Sequence, residues 1–410
     1  MRASLPAGAA LPDLRSLARS LPEEVRAPLE ARLSHHLPRP APPTEVEHLQ
    51  VSLSALRQFL EDPLQGSARF RLRLREVEGE ELLLEQEEEP FETGALVRTE
   101  LLRETIIEAL LSAPSVPTSK AVLDSYQRIG LREELAGRLP TGLFASAARA
   151  AHERVLEGWL SQLADFAGSR TFRREVTRFG SAGRGALAGA AHWLGRDGVA
   201  RVCPPLRFEL PREGRPPLVV DVVGRTELVL TPAGEGFPGS VAFACRRTAD
   251  QKDVERLRGF VDHVALAAAG LSTGRHDAIT VWSNGVEAHT TTSTFRPVSA
   301  ERARGYLEAL VGALVTGALD ASGRPTGVHD YLLPIEAVME ADKRERPVAD
   351  EVRRLRDLYF ERPWLSVISS VRGPVPEAAE RHEPPEAEVA ERMMDERFGL
   401  YFELLEGRNT

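Results

Sequence analysis

Lysine is almost missing from this chain of 410 residues: Lys120, Lys252 and Lys343 are its only lysines, and the rest of its 52 basic residues are arginine. An arginine excess suits forked contacts to phosphates and carboxylates alike. Cysteine is scarcer still. Cys203 and Cys245 are the only two, which excludes a disulfide framework and a cluster held by four cysteines of the chain, and makes a reducing cytoplasm the expected setting. Aromatic residues make up 6%, too few for a strand-binding groove built on stacked rings. No apolar run approaches the roughly 18 residues that span a bilayer, and the N-terminus carries no sustained apolar h-region, so neither a membrane span nor a secretory signal is expected. The net charge of −9 argues against a protein that grips DNA alone over a broad surface, because phosphates must be met by surplus cations. There is no G-x-x-x-x-G-K-[ST], H-E-x-x-H or G-x-S-x-G. Gly180-Ser-Ala-Gly-Arg-Gly185 reads as a flexible turn, and His152 reads as a packed or exposed helical residue rather than a metal ligand. No cofactor and no metal site are expected.

What is present is a core. Hydrophobic residues reach 42% against 28% charged, the balance of a globular protein. Residues 1–45 are rich in Pro, Ala and Arg and read as a linker, so that the chain looks like the tail of something longer. Residues 46–138 read as a helical connecting region: Ser52 or Ser54 caps a helix with Leu53, Leu56, Phe59 and Leu60 on one face, and Asp62-Pro63 stops it. An alternating basic and apolar stretch, 69–75, leads into an acidic run, 76–92, read as a solvated loop. Helical spacing returns at 94–111 and 119–135. From residue 139 the chain reads as an α/β domain extending to 410. A long helix is expected over 144–166, strands over 206–210, 218–230 and 240–246, and a helix over 252–269. Asn284-Gly285 then marks a hairpin between strands at 278–282 and 286–291. Ser299 caps a further helix, and a last helix over 385–405 carries Met393, Phe398, Tyr401 and Phe402. The expected architecture is a mixed sheet flanked by helices and preceded by a helical region.

One constellation nearly exists. Glu227 lies on one expected strand, and Cys245-Arg-Arg247 ends the next. In a metal-dependent nuclease of the PD-(D/E)xK type, adjacent strands carry an acid and then acid-x-lysine; the acids hold Mg²⁺ and the lysine positions the attacking water. Here Glu227 keeps the first acid, Cys245 falls on the second and Arg247 on the lysine. A thiol is a poor ligand for a hard cation, and arginine does not exchange protons near neutral pH. The expected fold is therefore a degenerate nuclease-like one with no catalytic residues. The enzyme-class alternative is an active Mg²⁺-dependent nuclease using Asp221, Glu227 and Glu209 with an unusual base.

With these residues in view, the chain resembles the C-terminal region of the gamma (RecC) subunit family of exodeoxyribonuclease V. The similarity runs through Val51-Ser-Leu-Ser-Ala-Leu-Arg-Gln-Phe-Leu-Glu-Asp-Pro63, Glu89-Pro-Phe-Glu92, Leu139-Pro-Thr-Gly142, residues 257–269, Asn284-Gly285, Tyr359-Phe-Glu-Arg-Pro-Trp364 and residues 390–405. It covers roughly 46–405. The resemblance implies a non-catalytic subunit, or a fragment of one, in a RecBCD-type helicase–nuclease of double-strand-break repair and recombination. It also implies RecB-type and RecD-type helicase subunits as partners, contact with forked duplex and the 3′ strand, and no membrane. Trp282, Arg296, Arg362 and Trp364, with Phe295, are the candidate DNA contacts. The large N-terminal region of the family is absent from this sequence, so hotspot recognition, which belongs chiefly to that region, is not expected of this chain alone.

Overall fold

The computed structural model describes residues 48–61, 66, 70, 92–113, 116–168, 171–180, 200–212, 215–245, 253–316 and 395–406. The linker 1–45, nearly all of the alternating stretch and acidic run, Arg247, Arg362 and Trp364 lie outside the described residues.

The chain enters through β1 (His48–Ser52) and turns at once into α1 (Leu53–Glu61). The Ser52 hydroxyl accepts the Ala55 amide at 3.0 Å, satisfying one of the amide donors that a helix start leaves free. Leu53, Leu56, Phe59 and Leu60 are all fully buried, as their spacing requires. Three helices follow: α2 (Ala95–Ser112), α3 (Ser119–Leu135) and α4 (Gly142–Ala167). Thr118 caps α3 by accepting the Ala121 amide at 3.3 Å. Strands β2 (Phe172–Phe179), β3 (Ala200–Cys203), β4 (Leu206–Arg212), β5 (Arg215–Arg225), β6 (Leu228–Pro232) and β7 (Gly239–Cys245) come next. Then follow α5 (Asp253–Ala268), β8 (His276–Ser283), β9 (Ala288–Phe295) and α6 (Ala300–Thr316). After the segment outside the described residues, a π-turn (Asp395–Gly399) leads into α7 (Leu400–Leu404).

The nine strands among the described residues join one mixed sheet, ordered β1-β5-β2-β6-β7-β8-β9, with β3 beside β2 and β4 beside β5. β1 runs parallel to β5 and β7 parallel to β8, while β2, β6 and β7 form an antiparallel run. α5 is the crossover that two adjacent parallel strands need. Side-chain alternation divides the sheet between two helix layers. Val229 and Ala278 face a core shared with α1, α5, α6 and α7. Leu228, Leu230, Val241, Phe243, Ile279 and Val281 face a core shared with α2, α3 and α4. Because β7 is covered on both sides, its six residues 239–244 are all buried. No helix among the described residues is long and apolar enough to cross a membrane.

Two expectations change in detail. The single strand expected over 218–230 is two, because the chain turns at Gly224, whose φ of 116° suits glycine, so that β5 ends and β6 begins after Thr226. β2 was not expected at all: its sequence, Phe-Arg-Arg-Glu-Val-Thr-Arg-Phe, carries too many charges for an obvious period-2 apolar face. The Asn284-Gly285 hairpin is as expected. Gly285 takes φ 86°, and Asn284 Oδ1 accepts the amides of Val286 and Glu287 at 2.8 and 2.7 Å.

α5 reaches the sheet at Gly259, where an added Cβ would stand 2.5 Å from Ala278 Cβ and 2.9 Å from its Cα. Gly259→Ala therefore forces α5 off β8, and denaturant unfolding should show a loss of about 1–3 kcal/mol. Gly130→Ala in α3, with nothing within 4 Å of the added atom, should gain about 0.5–1 kcal/mol from helix propensity.

Candidate functional site

Glu227 sits between the end of β5 and the start of β6, and its carboxylate is 10% exposed. A buried carboxylate is costly unless cations meet it. Three elements supply them. Arg103 Nη2 of α2 donates to Oε2 at 2.9 Å. On Oε1, Arg57 Nη1 of α1 lies at 3.4 Å and Arg258 Nη1 of α5 at 3.7 Å. Burial alone would raise the Glu227 pKa, but the fields of Arg103, Arg57, Arg258 and Arg225 outweigh it and hold it at about 2.

Asp262, one turn along α5 from Arg258, is fully buried. It pairs with Arg57, accepts the Glu227 amide at 2.9 Å and accepts the Ser240 hydroxyl at 2.8 Å. Burial pushes its carboxyl up to about 6 against the pull of Arg57, with the neighbouring Glu227 charge adding to the rise. The two carboxylates share Arg57 and titrate as a pair, Asp262 taking a proton first on acidification. Because the Ser240 proton goes to Asp262, the contact at 3.0 Å between Ser240 Oγ and His276 Nε2 makes His276 the donor, leaving its buried Nδ1 without a partner. His263 stacks on His276 with centroids 5.3 Å apart, and its Nε2 donates to the Arg296 carbonyl at 3.0 Å. Burial lowers the pKa of both rings, His276 to about 3 and His263 to about 4, so both are neutral at ordinary pH.

The residues singled out in the sequence do not all converge here. Leu228 pairs with Val241; one step further along the same register, Glu227 stands across from Ala242, with Ala244 next on that face. Cys245 faces the other way, against the core of α2, α3 and α4, and burial pushes its thiol up to about 11. The strand pair thus brings Glu227 to methyl groups rather than to Cys245. Arg247 lies outside the described residues. Asp221 is engaged elsewhere, with Arg207 at 2.8 and 3.1 Å and His48 Nε2 at 2.7 Å, which together hold its pKa low against burial. Glu209 is exposed on β4, across from Val219. Among the described residues no group of three or more His, Cys, Asp or Glu is placed to hold a metal ion. Trp282 is 2% exposed, with its ring against His289, and Phe295 is fully buried; neither offers a face for a base. Arg296 is exposed. His152 is buried and bonded to the Tyr126 hydroxyl at 2.8 Å.

Sequence reading missed Arg57, Arg103, Arg258, Ser240 and Asp262. One signal was there: Arg57 falls four residues after Leu53 and three before Leu60, inside the apolar stripe of α1. Nothing local told that its partners would come from residues 225, 227 and 262, or that Arg103 and Arg258 would meet the same carboxylate.

The family model described as the RecC C-terminal domain matches residues 48–319. No curated protein matches the chain.

Glu227→Ala leaves three guanidiniums facing an empty pocket, and unfolding in denaturant should show a loss of about 3–5 kcal/mol. Arg57→Met strands both carboxylates and should cost at least as much, while Arg103→Met, nearer solvent, should cost less. The pH dependence has two signs. His263 and His276 bind protons less readily folded than unfolded, so their contribution is full above about pH 6.5 and is lost on acidification. Asp262 has the raised folded pKa and contributes in the opposite direction between about pH 6 and 4. In unfolding free energies measured between pH 6 and 4.5, His276→Gln should reduce the slope by up to about 1.4 kcal/mol per pH unit. Asp262→Asn should steepen it.

Proposed function

The chain belongs to the RecC C-terminal domain family, and from that premise we propose that it is a non-catalytic structural part of a RecBCD-type exodeoxyribonuclease V. In this reading it works in the cytoplasm, scaffolds RecB-type and RecD-type helicase subunits, and helps guide strands split from a forked duplex. The family match supports a RecC-related role. The observation that carries the non-catalytic part is the arginine cage around Glu227.

A working PD-(D/E)xK site takes Mg²⁺, which supplies Lewis-acid stabilisation and an activated water. The residues present do not fit that ion. Glu227 already meets Arg103, Arg57 and Arg258, so a dication would enter a place where guanidinium charge is concentrated. The strand across offers Ala242 and Ala244, side chains with no oxygen to coordinate a metal and no amine to orient water. Asp262, the other carboxylate within reach, is occupied by Arg57, Ser240 and the Glu227 amide. What these residues do instead is join α1, α2 and α5 to the sheet. The fold is kept, and the pocket serves as a structural joint. The active-nuclease alternative finds no support in the positions of Asp221 and Glu209, since Asp221 is held by Arg207 and His48 and Glu209 faces solvent.

With labelled single-stranded and double-stranded DNA and Mg²⁺ or Mn²⁺, the purified chain should release no product above a metal-free control. Cleavage that Glu227→Gln abolishes, in a variant shown by circular dichroism to be folded, would overturn this reading and make the chain a nuclease.

A further inference from the structure

Seven large hydrophobic side chains are exposed among the described residues; five of them lie at the end of α3, the start of α4 and the hairpin tip, and three of those five line adjoining clefts. Leu131 and Leu135 are 56% and 81% exposed at the end of α3; Leu143 and Phe144 are 88% and 52% exposed at the start of α4; Val286, at the hairpin tip, is 92% exposed. Two adjoining clefts open here, of about 370 and 630 Å³, sharing Thr93, Ala148 and His152 in their walls. Leu131 lines the smaller, and Phe144 and Val286 line the larger. Scattered apolar side chains are ordinary on a surface, but a concentration of this kind beside a groove marks a contact site.

Charge gives the surface a direction. Arg98 and Arg154 both line the larger cleft, and neither has an ion-pair partner among the described residues. The Arg98 Nε is buried with no hydrogen-bond partner. Among the described residues Glu92 is the single carboxylate in that wall, against the two arginines. In the smaller cleft, Arg149 is already paired with Glu153 at 2.8 Å. Along α4 the floor is small: Ala145 and Ala148 in one cleft, Ala147, Ala148 and Ala151 in the other.

We infer that this groove is the docking site for an amphipathic α-helix of a partner protein, one whose apolar stripe lies over α3 and α4 and whose carboxylates meet Arg98 and Arg154. Small residues on α4 let a helix approach closely, and a helix presents leucine-type side chains at i, i+3, i+4 and i+7 to such a trough. A partner strand is disfavoured, because most of the lining comes from α3 and α4, whose backbone bonds are already made. Single-stranded nucleic acid is disfavoured too: four of the five exposed side chains are aliphatic, and base stacking needs rings. The inference rests on the proposed role as a subunit of a helicase–nuclease, since that role supplies the partner.

The test uses the full chain and the purified RecB-type helicase–nuclease subunit, with affinity measured by biolayer interferometry. The double variant Leu131→Ser/Val286→Ser, altered only at exposed positions that line the clefts, should bind at least tenfold more weakly. Arg154→Glu should weaken binding at low salt, and the deficit should shrink at high salt. Val202→Ser, at an exposed apolar residue on β3, should bind like the unaltered chain. If the unaltered chain binds and the groove variants bind equally well, the groove assignment is wrong while the subunit role stands. No binding by the unaltered chain would overturn both. Self-association of the chain that the groove variants abolish, or a labelled single-stranded oligonucleotide displaced by them, would replace the partner helix by a second copy or by nucleic acid.

Discussion

The carboxylate of Glu227 cannot be inside this protein without arginines, and the arginines come from helices far apart in the chain. Arg57 enters with α1, Arg103 with α2 and Arg258 with α5. Each would itself be costly to desolvate alone, so the group is stable only when assembled. That mutual requirement fixes where three helices sit on the sheet. Because Asp262 also holds the Glu227 amide and Ser240, the same cluster sets the depth of α5 against β6 and β7. Gly259 on α5, in near contact with Ala278, shows how close that seat is.

The cluster also explains how two carboxylates can be kept inside this mixed sheet and its helices. Glu227 and Asp262 repel one another when both are charged, and side-chain cations must neutralise them. Guanidinium groups do this with fixed geometry and permanent charge. Glu227 is the anchor of an ion-pair network, and Ala242 stands across from it. Extending away from it, Ser240, His276 and His263 carry a chain of polar contacts as far as the Arg296 carbonyl. Buried neutral imidazoles in that chain tie the stability of the sheet to pH.

Reading the sequence located most of the elements because their signals are local. The α1 face, the limits of α3, the Asn284-Gly285 turn and the Ser299 cap each lie within a few residues of the features that specify them. β2 escaped because four of its eight residues are charged, Arg178 among them buried, and the break between β5 and β6 escaped because a single glycine conformation divides one apolar run into two. The candidate site was half legible. Glu227 stood out as an acid on an apolar strand, yet the choice of Cys245 as its counterpart assumed a register that the hairpin does not have. The strand alternates, and a shift of three residues from Ala242 moves the side chain to the opposite face.

Composition and periodicity by themselves determined an α/β protein with a mixed sheet between helix layers, while its sequence motifs carried the family resemblance along most of its length. The tertiary structure decided which side chains surround Glu227, because register and helix docking are set by burial over separations of more than a hundred residues. It also decided that Trp282 belongs to the core and that Leu131, Leu135, Leu143 and Val286 do not, since the apolar character of a side chain carries no information about which surface will cover it.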